Sequence, residues 1–378
     1  MTGAVSGCSD LTAGFLTDCL AGCLGGSTVA AVEAVPVGTG QVSDTYRLHL
    51  TYASEGSATG DGSATGDSSA TGDSLPDGHQ AGPPATLIAK VPAADPASRG
   101  AARAFRTYEI EASFYAQLAP GLPVALPACF FAAYDAEPDV YVVLLADIAA
   151  ARPGDQLAGL RPDDAAAAIA ELAALHAAGW GNPHLAALPW LNRSGPDAAA
   201  LLAAVVTDLY PGFRDRYADR LEPGTTGLIE DFLPHIDRYL AGLDEPRTIV
   251  HGDFRADNLL FGPARPVVLD WQTAGFGAGT GDLAYFLGSS LPVPVRQEHE
   301  EALVRLYHSG LASREVPLTW SECWDGYRWH AFGGLVMDIV AAMVVQQTAR
   351  GDEMFTAMAS RHARHALDLD ALALVAAI

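Results

Sequence analysis

The N-terminal part of the chain alternates short apolar, strand-like segments with two stretches of helical periodicity. Two strands joined by the small, polar turn GTGQVSD are predicted within residues 32–52. The segment TLIAKVP predicts a third strand, and VYVVLLADI predicts a buried one over residues 140–148. Helices are predicted over residues 10–24 and 103–119, because aromatic and leucine side chains recur at helical spacing in the second of these segments.

The rest of the chain changes to an almost wholly helical pattern. Helices are predicted over residues 163–178, 197–209, 227–243, 297–309 and 321–348. A short strand–loop–strand unit, residues 248–270, interrupts them. This order indicates an α+β protein of two lobes, with a small β-rich N-terminal lobe and a larger, mainly helical C-terminal lobe. We place the boundary near Asp147, which gives domains of residues 1–147 and 148–378.

A polar tract with tandem repeats interrupts the N-terminal pattern. SATGDG, SATGDS and SATGDS follow one another, and the polar composition continues to about Pro84. Leu75 is the one large apolar side chain of this tract, so burial cannot offset the entropy of ordering it. Aspartate-containing calcium repeats have a period of about nine residues, whereas the period here is six. We therefore predict a disordered insertion over about residues 54–84.

The composition of the chain limits the classes of binding partner and the cellular compartment that we expect. The net charge of −23 argues against nucleic acid and against an anionic membrane surface as partners. The five cysteines include no CxxC pair, and Cys19 and Cys23 are spaced to share a helix face more readily than a zinc ion. Neither a secretion signal nor a membrane-spanning run is recognised, so a cytoplasmic location is predicted. The oligomeric state stays open.

The segment HGDFRADNLLF, between two apolar runs, carries more charge than packing can explain. Unpaired polar groups cost several kcal/mol to bury, so we expect this loop to hold a ligand. Phosphoryl transfer from ATP requires a lysine for the phosphates, an acid that holds the lysine, a base, and an amide and an acid for Mg²⁺. The chain supplies these groups in that order, as Lys90, Glu111, Asp253, Asn258 and Asp270.

Each of these residues is a weak signal when it is taken alone. A lysine in a strand is usually an edge residue, and Glu109 lies close enough to Glu111 to compete for its assignment. The spacing adds weight, since Asn258 follows Asp253 by five residues, as the metal-binding asparagine follows the base in protein kinases. The five residues together, in order and on suitable elements, indicate a kinase.

The same motifs resemble a known family. HGDFRADNLLF and VVLDWQ are similar to the kinase-like phosphotransferases that include aminoglycoside phosphotransferases and choline kinases. EASFYAQLAP, Asp-Trp-Gln and GDLAYFLGSSL resemble the ecdysteroid-kinase-like group within them, over about residues 32–291. The resemblance implies a two-lobed protein-kinase-like fold. It also implies that Asp253 is the base and that Asn258 and Asp270 bind Mg²⁺.

The resemblance extends to supporting residues. Asp282 would brace the catalytic loop and His251 would pack beneath it. Adenine would bind backbone groups near Ala146 and Ile148, at the junction of the lobes. The turn that contains Gly38, Gly40 and Ser43 would cover the phosphates, although GTGQVSD is not the GxGxxG of protein kinases.

Arg255 lies two residues after the base, where many protein kinases carry a lysine that reaches the transferred phosphate. We predict the same catalytic role for Arg255. The alternative is that Arg255 pairs with Asp257, or with another nearby acid, and only supports the loop.

These motifs favour an ATP- and Mg²⁺-dependent phosphotransferase that acts on a small-molecule alcohol. Trp-Gln follows Asp270 and no Ala-Pro-Glu segment is present, so a protein substrate is not expected. One rival is an aminoglycoside-type resistance kinase, and another is a pseudokinase, against which the intact set of residues argues. We predict a neutral, partly apolar acceptor, because the group resembled and four aromatic residues favour it. Those aromatic residues, which the sequence also allows to be core, are Trp324, Tyr327, Trp329 and Phe332. The choice between ATP and GTP stays open.

Overall fold

The structure is a computed structural model that describes residues 3–38, 42–53, 82–137, 139–243 and 245–377. The chain divides into two compact units. Unit 1 comprises Met1–Pro120 with Pro127–Ala149, and unit 2 comprises Gly121–Leu126 with Ala150–Ile378. Unit 1 is built on a sheet and unit 2 is mainly helical, so the predicted α+β class is confirmed.

A twisted antiparallel sheet is the centre of unit 1. Its strands among the described residues are β1 (Thr28–Pro36), β2 (Ser43–Ala53), β3 (Thr86–Pro92), β4 (Cys129–Asp135) and β5 (Val140–Ala146), in the order β1-β2-β3-β5-β4. Alternate side chains of β3, namely Leu87, Ala89 and Val91, are fully buried in one apolar core. Leu16 of the first helix packs into the same core.

The helices of unit 1 are shorter than the sequence predicts. They are α1 (Ala13–Cys19), α2 (Pro96–Phe105) and α3 (Thr107–Ser113), with a π-helical turn over Phe114–Leu118. The helix predicted over residues 103–119 is wrong, because Arg106 adopts a left-handed conformation with φ of 59° and separates α2 from α3. The helix predicted over residues 10–24 ends at Cys19, so Cys23 lies beyond it.

Strand β4 was not predicted. All seven of its side chains are partly exposed, so the segment shows no alternation of buried and exposed positions. It lies at the edge of the sheet, beside β5. An edge strand of this kind gives little periodic signal in the sequence.

The polar tract connects β2 to β3, and residues 54–81, which include all of the repeats, lie outside the described residues. The chain on either side of it is closely paired. His49 lies opposite Thr86, Leu50 N donates to Ala85 O at 3.0 Å, and the Tyr52 hydroxyl donates to Pro84 O at 2.7 Å. The predicted insertion therefore begins and ends at the same end of an antiparallel strand pair.

Deleting residues 56–81 and joining the ends with a short turn is expected to leave the fold of unit 1 intact. The strand pairing and the contacts of Leu50 and Tyr52 remain, and shortening a flexible loop lowers its closure cost by only about 0.6 kcal/mol for each halving of its length. The melting temperature should therefore change by less than about 4 °C, measured by differential scanning fluorimetry. A larger fall would show that the tract packs against the rest of the protein.

Unit 2 consists mostly of helices. Among the described residues they are α4 (Pro162–Gly179), α5 (Pro183–Ala186), α6 (Pro196–Tyr217), α7 (Thr225–Phe232), α8 (Ile236–Ala241), α9 (Gly279–Ser290), α10 (Val293–Ala312), α11 (Trp320–Trp329), α12 (Gly333–Val344), α13 (Ala349–Asp368) and α14 (Ala371–Ala377). Two helices predicted as continuous are each split by a 3-10 turn, Leu233–His235 between α7 and α8 and His330–Phe332 between α11 and α12.

Two small sheets are set among these helices. Their strands are β6 (Arg152–Pro153), β7 (Arg247–Val250), β8 (Leu259–Phe261), β9 (Val267–Val268) and β10 (Gly275–Ala278), paired as β10-β7 and β6-β8-β9. The predicted strand–loop–strand unit is therefore present. Its loop runs from His251 to Asn258, between β7 and β8.

Three of the four aromatic residues singled out from the sequence belong to the core of unit 2, whereas the fourth, Trp324, is half-buried and stacks on Trp320 with 5.5 Å between centroids. Tyr327, Trp329 and Phe332 are buried, and the Phe332 ring stacks on Phe232 with 4.1 Å between centroids. The Trp329 ring stacks on Tyr239 at 5.9 Å. These three residues pack the helices together, which is the core role that the sequence also allowed for them.

None of the helices that the structure describes combines the length and the apolar character needed to cross a membrane.

Candidate active site

In unit 1, Lys90 lies on a central strand and not at an edge. It projects from β3, which is flanked by β2 and β5, and only 8% of the residue is exposed. Its Nζ lies 2.6 Å from Oε1 of Glu111, which is itself 1% exposed. Burying two charges is costly unless they pair with good geometry, and this pair satisfies that condition. Lys90 and Glu111 are therefore held together on the face of the sheet opposite Leu87, Ala89 and Val91.

The structure distinguishes Glu111 from its neighbour Glu109. Glu111 also accepts a hydrogen bond from the Tyr141 hydroxyl of β5, at 2.6 Å. Glu109 instead pairs with Arg106 at the start of α3, at 2.8 Å. The left-handed Arg106 that separates α2 from α3 thus pairs with Glu109, while Glu111 pairs with Lys90.

The other nucleotide-binding residues predicted in unit 1 are placed as follows. Gly38, on the turn after β1, has a positive φ of 73°, which favours glycine. Ser43 begins β2 and is buried, whereas Gly40 lies outside the described residues. Ala146 ends β5 and its N–H already donates to Ala128 O at 2.8 Å, so an adenine contact of Ala146 would involve its carbonyl. Ile148 follows in the segment after β5.

In unit 2, Asp282 of α9 holds the start of the catalytic loop. Its carboxylate accepts hydrogen bonds from His251 N at 2.6 Å and Gly252 N at 3.0 Å. His176 Nε2 lies 3.3 Å from the same carboxylate. Burial acts to raise the pKa of Asp282, but His176 and the contacts from His251 outweigh burial and lower it. A charged Asp282 thus fixes two successive backbone groups of the loop.

His251 itself supports the loop from below. Its Nε2 donates to Leu269 O at 2.8 Å, and its ring contacts Trp271 with 4.6 Å between centroids. This tethers the catalytic loop to the segment that carries Asp270. The next residue, Gly252, has φ of 80°, and a Cβ there would lie 2.7 Å from Thr273 O, so a side chain is excluded.

The carboxylate of Asp253 is surrounded by hydrogen-bond donors. Oδ1 accepts from the Tyr285 hydroxyl at 2.8 Å, and Oδ2 accepts from Asn258 Nδ2 at 2.9 Å. Arg255 Nε lies 3.0 and 3.1 Å from the two oxygens. Asp253 keeps partial exposure despite these contacts. Its carboxyl group is therefore held in one orientation and can still be approached by a ligand.

Arg255 makes the contacts that its loop-supporting alternative requires. Besides Asp253, it bonds Asp257 Oδ2 through Nη1 at 3.1 Å, and Nη1 lies 3.5 Å from Met354 Sδ. Burial acts to lower the pKa of Arg255, but the charges of Asp253 and Asp257 outweigh it and raise the pKa above its usual value. The catalytic role stays a prediction, since nothing in these contacts places a phosphate beside the guanidinium.

Asn258 and Asp270 provide an amide and a carboxylate, the oxygen ligands that suit Mg²⁺. Asn258 uses Nδ2 for Asp253, so Oδ1 is the atom it would offer a cation. The two segments are joined where Leu269 N donates to Asn258 O at 2.9 Å. Asp270 has a left-handed φ of 64°.

No trio of His, Cys, Asp or Glu within the described ranges could hold a metal. Mg²⁺ in kinases does not need one, because one or two protein ligands act together with substrate phosphates. The donor set of Asn258 and Asp270 therefore fits a nucleotide-bound Mg²⁺.

Sequence reasoning missed three residues that fix the loop. Gln156 Oε1 and Ser290 Oγ both accept from Ala256 N, at 2.9 and 3.0 Å. Tyr285 bonds Asp253 directly. Tyr285 and Ser290 lie within the quoted motif GDLAYFLGSSL, so the signal was present there, although their contacts cannot be read from one sequence.

Comparisons with known proteins agree with this geometry. A sequence profile of the family described as "Phosphotransferase enzyme family" matches residues 80–317. A segment of 54 residues is 46% identical to acyl-CoA dehydrogenase family member 10 of Mus musculus, over 12% of this chain and 5% of that protein. The chain thus spans only a small part of the length of that curated relative.

Two solved structures share the fold. A protein of Ralstonia eutropha JMP134 with a proposed aminoglycoside phosphotransferase assignment gives a TM-score of 0.52 at 17% identity, over 93% of this chain and 97% of that chain. A choline kinase of Cryptosporidium parvum Iowa II gives 0.52 at 10% identity, over 90% and 89%. The predicted kinase-like fold is therefore confirmed.

The family match also confirms the predicted enzyme class, a phosphotransferase. Unit 2 by itself holds the ordered loop from His251 to Asn258 beside an amide–carboxylate pair, and unit 1 by itself holds a buried lysine–glutamate pair. Since the profile covers residues 80–317 of the 378 in the chain, this protein belongs to the phosphotransferase enzyme family.

Proposed function

We propose that this protein transfers the γ-phosphoryl group of ATP to a hydroxyl of a small molecule, in a Mg²⁺-dependent reaction. The observation that carries the proposal is the placement of Asp253: a partly exposed carboxyl group fixed by Tyr285 and Asn258 in a loop that Asp282 anchors. A carboxylate in that position can accept the proton of an alcohol as the alcohol attacks phosphorus.

The remaining residues have roles in holding the nucleotide. Lys90, kept in place by Glu111, would bind the α- and β-phosphates. Asn258 and Asp270 would hold Mg²⁺, which when bound neutralises charge on the phosphates. Gly38, Gly40 and Ser43 would cover the phosphates through their backbone, and Ala146 and Ile148 would bind adenine through theirs. These assignments rest on the family resemblance and on the Lys90–Glu111 pair.

The acceptor is proposed as a neutral, partly apolar alcohol ahead of an aminoglycoside. Tyr327, Trp329 and Phe332 are buried in the core and give this choice no support, and the half-buried Trp324 stacks on Trp320 of its own helix. The proposal of an apolar acceptor therefore depends on the resemblance of EASFYAQLAP and GDLAYFLGSSL to the ecdysteroid-kinase-like group.

The proposed function is tested by ADP release over a panel of sterols, macrolides, nucleosides, amino alcohols and aminoglycosides, with ATP or GTP and with or without Mg²⁺. We expect release that requires Mg²⁺ and an apolar alcohol. Release with kanamycin or neomycin and none with apolar alcohols would reverse the order of acceptors. Nucleotide binding without any release over the whole panel would favour a pseudokinase.

Arg255→Ala is expected to lower kcat by about 10²-fold with a smaller change in ATP affinity, because a cation near the transferred phosphate acts mainly in the transition state. Arg255→Lys should recover part of the rate, since a point charge still reaches phosphate. Arg350→Ala is the control. Nη2 of Arg350 lies 3.9 Å from Oδ2 of the same Asp257, but the Arg350 side chain is mostly exposed. The kcat of Arg350→Ala should therefore stay within about threefold of the parent.

Steady-state kinetics and melting temperatures of the three variants decide between the two roles of Arg255. Equal rate losses in Arg255→Ala and Arg255→Lys, proportional to their loss of melting temperature, would mean that Arg255 only supports the loop.

A further inference from the structure

Tyr285 lies on the helix that also anchors the catalytic loop. It follows Asp282 by three residues in α9, so the two side chains project from neighbouring positions of one helix face. Asp282 holds the backbone N–H groups of His251 and Gly252, while the Tyr285 hydroxyl donates to Oδ1 of Asp253 at 2.8 Å. One helix therefore fixes both the backbone of the loop and the side chain of its base.

The Tyr285 hydroxyl can only act as a donor to Asp253. The side chain is buried, and burial, reinforced by the charge of Asp253, raises the pKa of the phenol well above its usual value. The phenol is therefore protonated at neutral pH. A neutral donor of this kind orients a carboxylate without neutralising its charge.

A buried histidine supports Tyr285 from its other side. The His362 ring of α13 stacks on the Tyr285 ring with 5.4 Å between centroids and 29° between planes. Neither ring nitrogen of His362 has a hydrogen-bond partner among the residues that the structure describes. Burial, together with the positive charge of Arg361 and Arg296 and the neighbouring His365, lowers the pKa of His362 well below its usual value. The His362 ring is thus uncharged where it stacks on the Tyr285 ring.

Two glycines form the slot that the His362 ring occupies. A Cβ at Gly288 of α9 would lie 2.6 Å from Nδ1 of His362, and a Cβ at Gly334 of α12 would overlap the same ring. The ring is therefore confined between two helices. Because the His362 ring is closely packed, it restricts the movement of the Tyr285 ring stacked on it, and with it that of the hydroxyl.

We propose that Tyr285 is a positioning residue for phosphoryl transfer, held by His362, that sets the orientation of the Asp253 carboxylate. This inference rests on the proposed function, in which Asp253 accepts the proton of the acceptor. Tyr285 binds Oδ1 and Asn258 binds Oδ2, so rotation of the carboxylate is restricted from both oxygens. Arg255 could move from Asp253 to the phosphate during the reaction. The hydrogen bond from the Tyr285 hydroxyl to Asp253 would then remain and would keep a carboxylate lone pair directed at the acceptor hydroxyl.

The test is Tyr285→Phe, which removes one oxygen atom and keeps the ring that stacks on His362. We expect kcat to fall about 10–10²-fold, because misplacing a catalytic group by about 1 Å costs up to 10²-fold. The KM for ATP should stay within about threefold of the parent. ADP release is measured with ATP and Mg²⁺, using the panel alcohol of highest rate and, without any alcohol, water.

Tyr327→Phe is the matched control. The Tyr327 hydroxyl is also buried in unit 2 and donates to a carboxylate, Glu300 Oε1, at 2.7 Å, but it does not contact the catalytic loop. Both variants should lose melting temperature, whereas only Tyr285→Phe should lose kcat. A loss of kcat in proportion to melting temperature in both variants would overturn the proposal.

The double variant with Asp253→Ala separates this inference from the proposed function. If Tyr285 acts through Asp253, then Tyr285→Phe should change the residual rate of Asp253→Ala by less than about twofold. A full, independent loss in that background would overturn the positioning role while leaving Asp253 as the base. Full activity of Asp253→Ala alone would instead refute the proposed base, and this inference with it.

Melting temperatures provide a readout that needs no activity. The losses caused by Tyr285→Phe and Asp253→Ala should be less than additive, because the two residues share one hydrogen bond. The losses of Tyr327→Phe and Asp253→Ala should add. Additivity in both pairs would show that the Tyr285 contact with Asp253 does not hold in solution.

Discussion

Asp253→Asn is expected to lower kcat by about 10²–10⁴-fold, the usual contribution of a general base. The amide keeps the shape of the side chain and can still accept from Tyr285, but it cannot take a proton from the acceptor. Affinity for ATP with Mg²⁺ should change far less, because Asn258 and Asp270 are retained. The two quantities are measured by ADP release and by isothermal titration calorimetry.

Asp257→Asn is a suitable control for that variant. Asp257 lies in the same loop, pairs with the same Arg255, and accepts from Gln156 N at 2.8 Å. Its substitution removes an equal charge from the loop but no proton acceptor at the reaction site. We expect it to cost stability and less than about tenfold in rate, the lower end of such effects. Turnover of Asp253→Asn within about threefold of the parent would show that Asp253 is not the base.

Asp270→Ala should weaken nucleotide binding itself, and only the part that depends on Mg²⁺. Loss of a charged ligand removes several kcal/mol of interaction with the cation, which corresponds to about 10²–10³-fold in kcat/KM. The measurement is a Mg²⁺ titration of ADP release, together with ATP binding at low and high Mg²⁺. Excess Mg²⁺ should restore part of the binding.

The left-handed backbone of Asp270 requires a second variant. Alanine is strained at its φ of 64°, whereas asparagine tolerates this conformation better. Asp270→Asn therefore removes the charge with little backbone cost, and its Mg²⁺ dependence should resemble that of Asp270→Ala. An unchanged Mg²⁺ dependence in both variants would exclude Asp270 as a metal ligand. A defect confined to Asp270→Ala would point to backbone strain.

The catalytic loop could be predicted because its chemistry is local. Asp253, Arg255 and Asn258 lie within six residues, so their spacing alone brings them together. The pairing of Lys90 with Glu111 was harder, since Glu109 was a competitor on the same predicted helix. In the structure Glu109 pairs with Arg106 and Glu111 with Lys90, and the left-handed backbone of Arg106 that separates α2 from α3 leaves no periodic signal in the sequence.

Helix α9 was missed for the opposite reason, because it is buried on every side. Eleven of its residues are buried, so the segment shows no polar face and no amphipathic period. Asp282 was still identified, through the family resemblance of GDLAYF. Tyr285 was not, because its role follows from a contact with Asp253 across 32 residues of chain. Contacts of that kind depend on tertiary packing and cannot be derived from spacing.

The strand contacts on either side of the repeat tract have a consequence for how the gene can vary. Tandem copies of a short coding sequence gain or lose whole units during DNA replication, and the reading frame is kept because each unit encodes six residues. Since the contacts of Leu50 with Ala85 and of Tyr52 with Pro84 involve no residue of the repeats, we expect alleles with different copy numbers to encode the same sheet. We therefore expect natural populations to differ in length here by multiples of six, with little effect on fitness, while the residues on either side are maintained by selection.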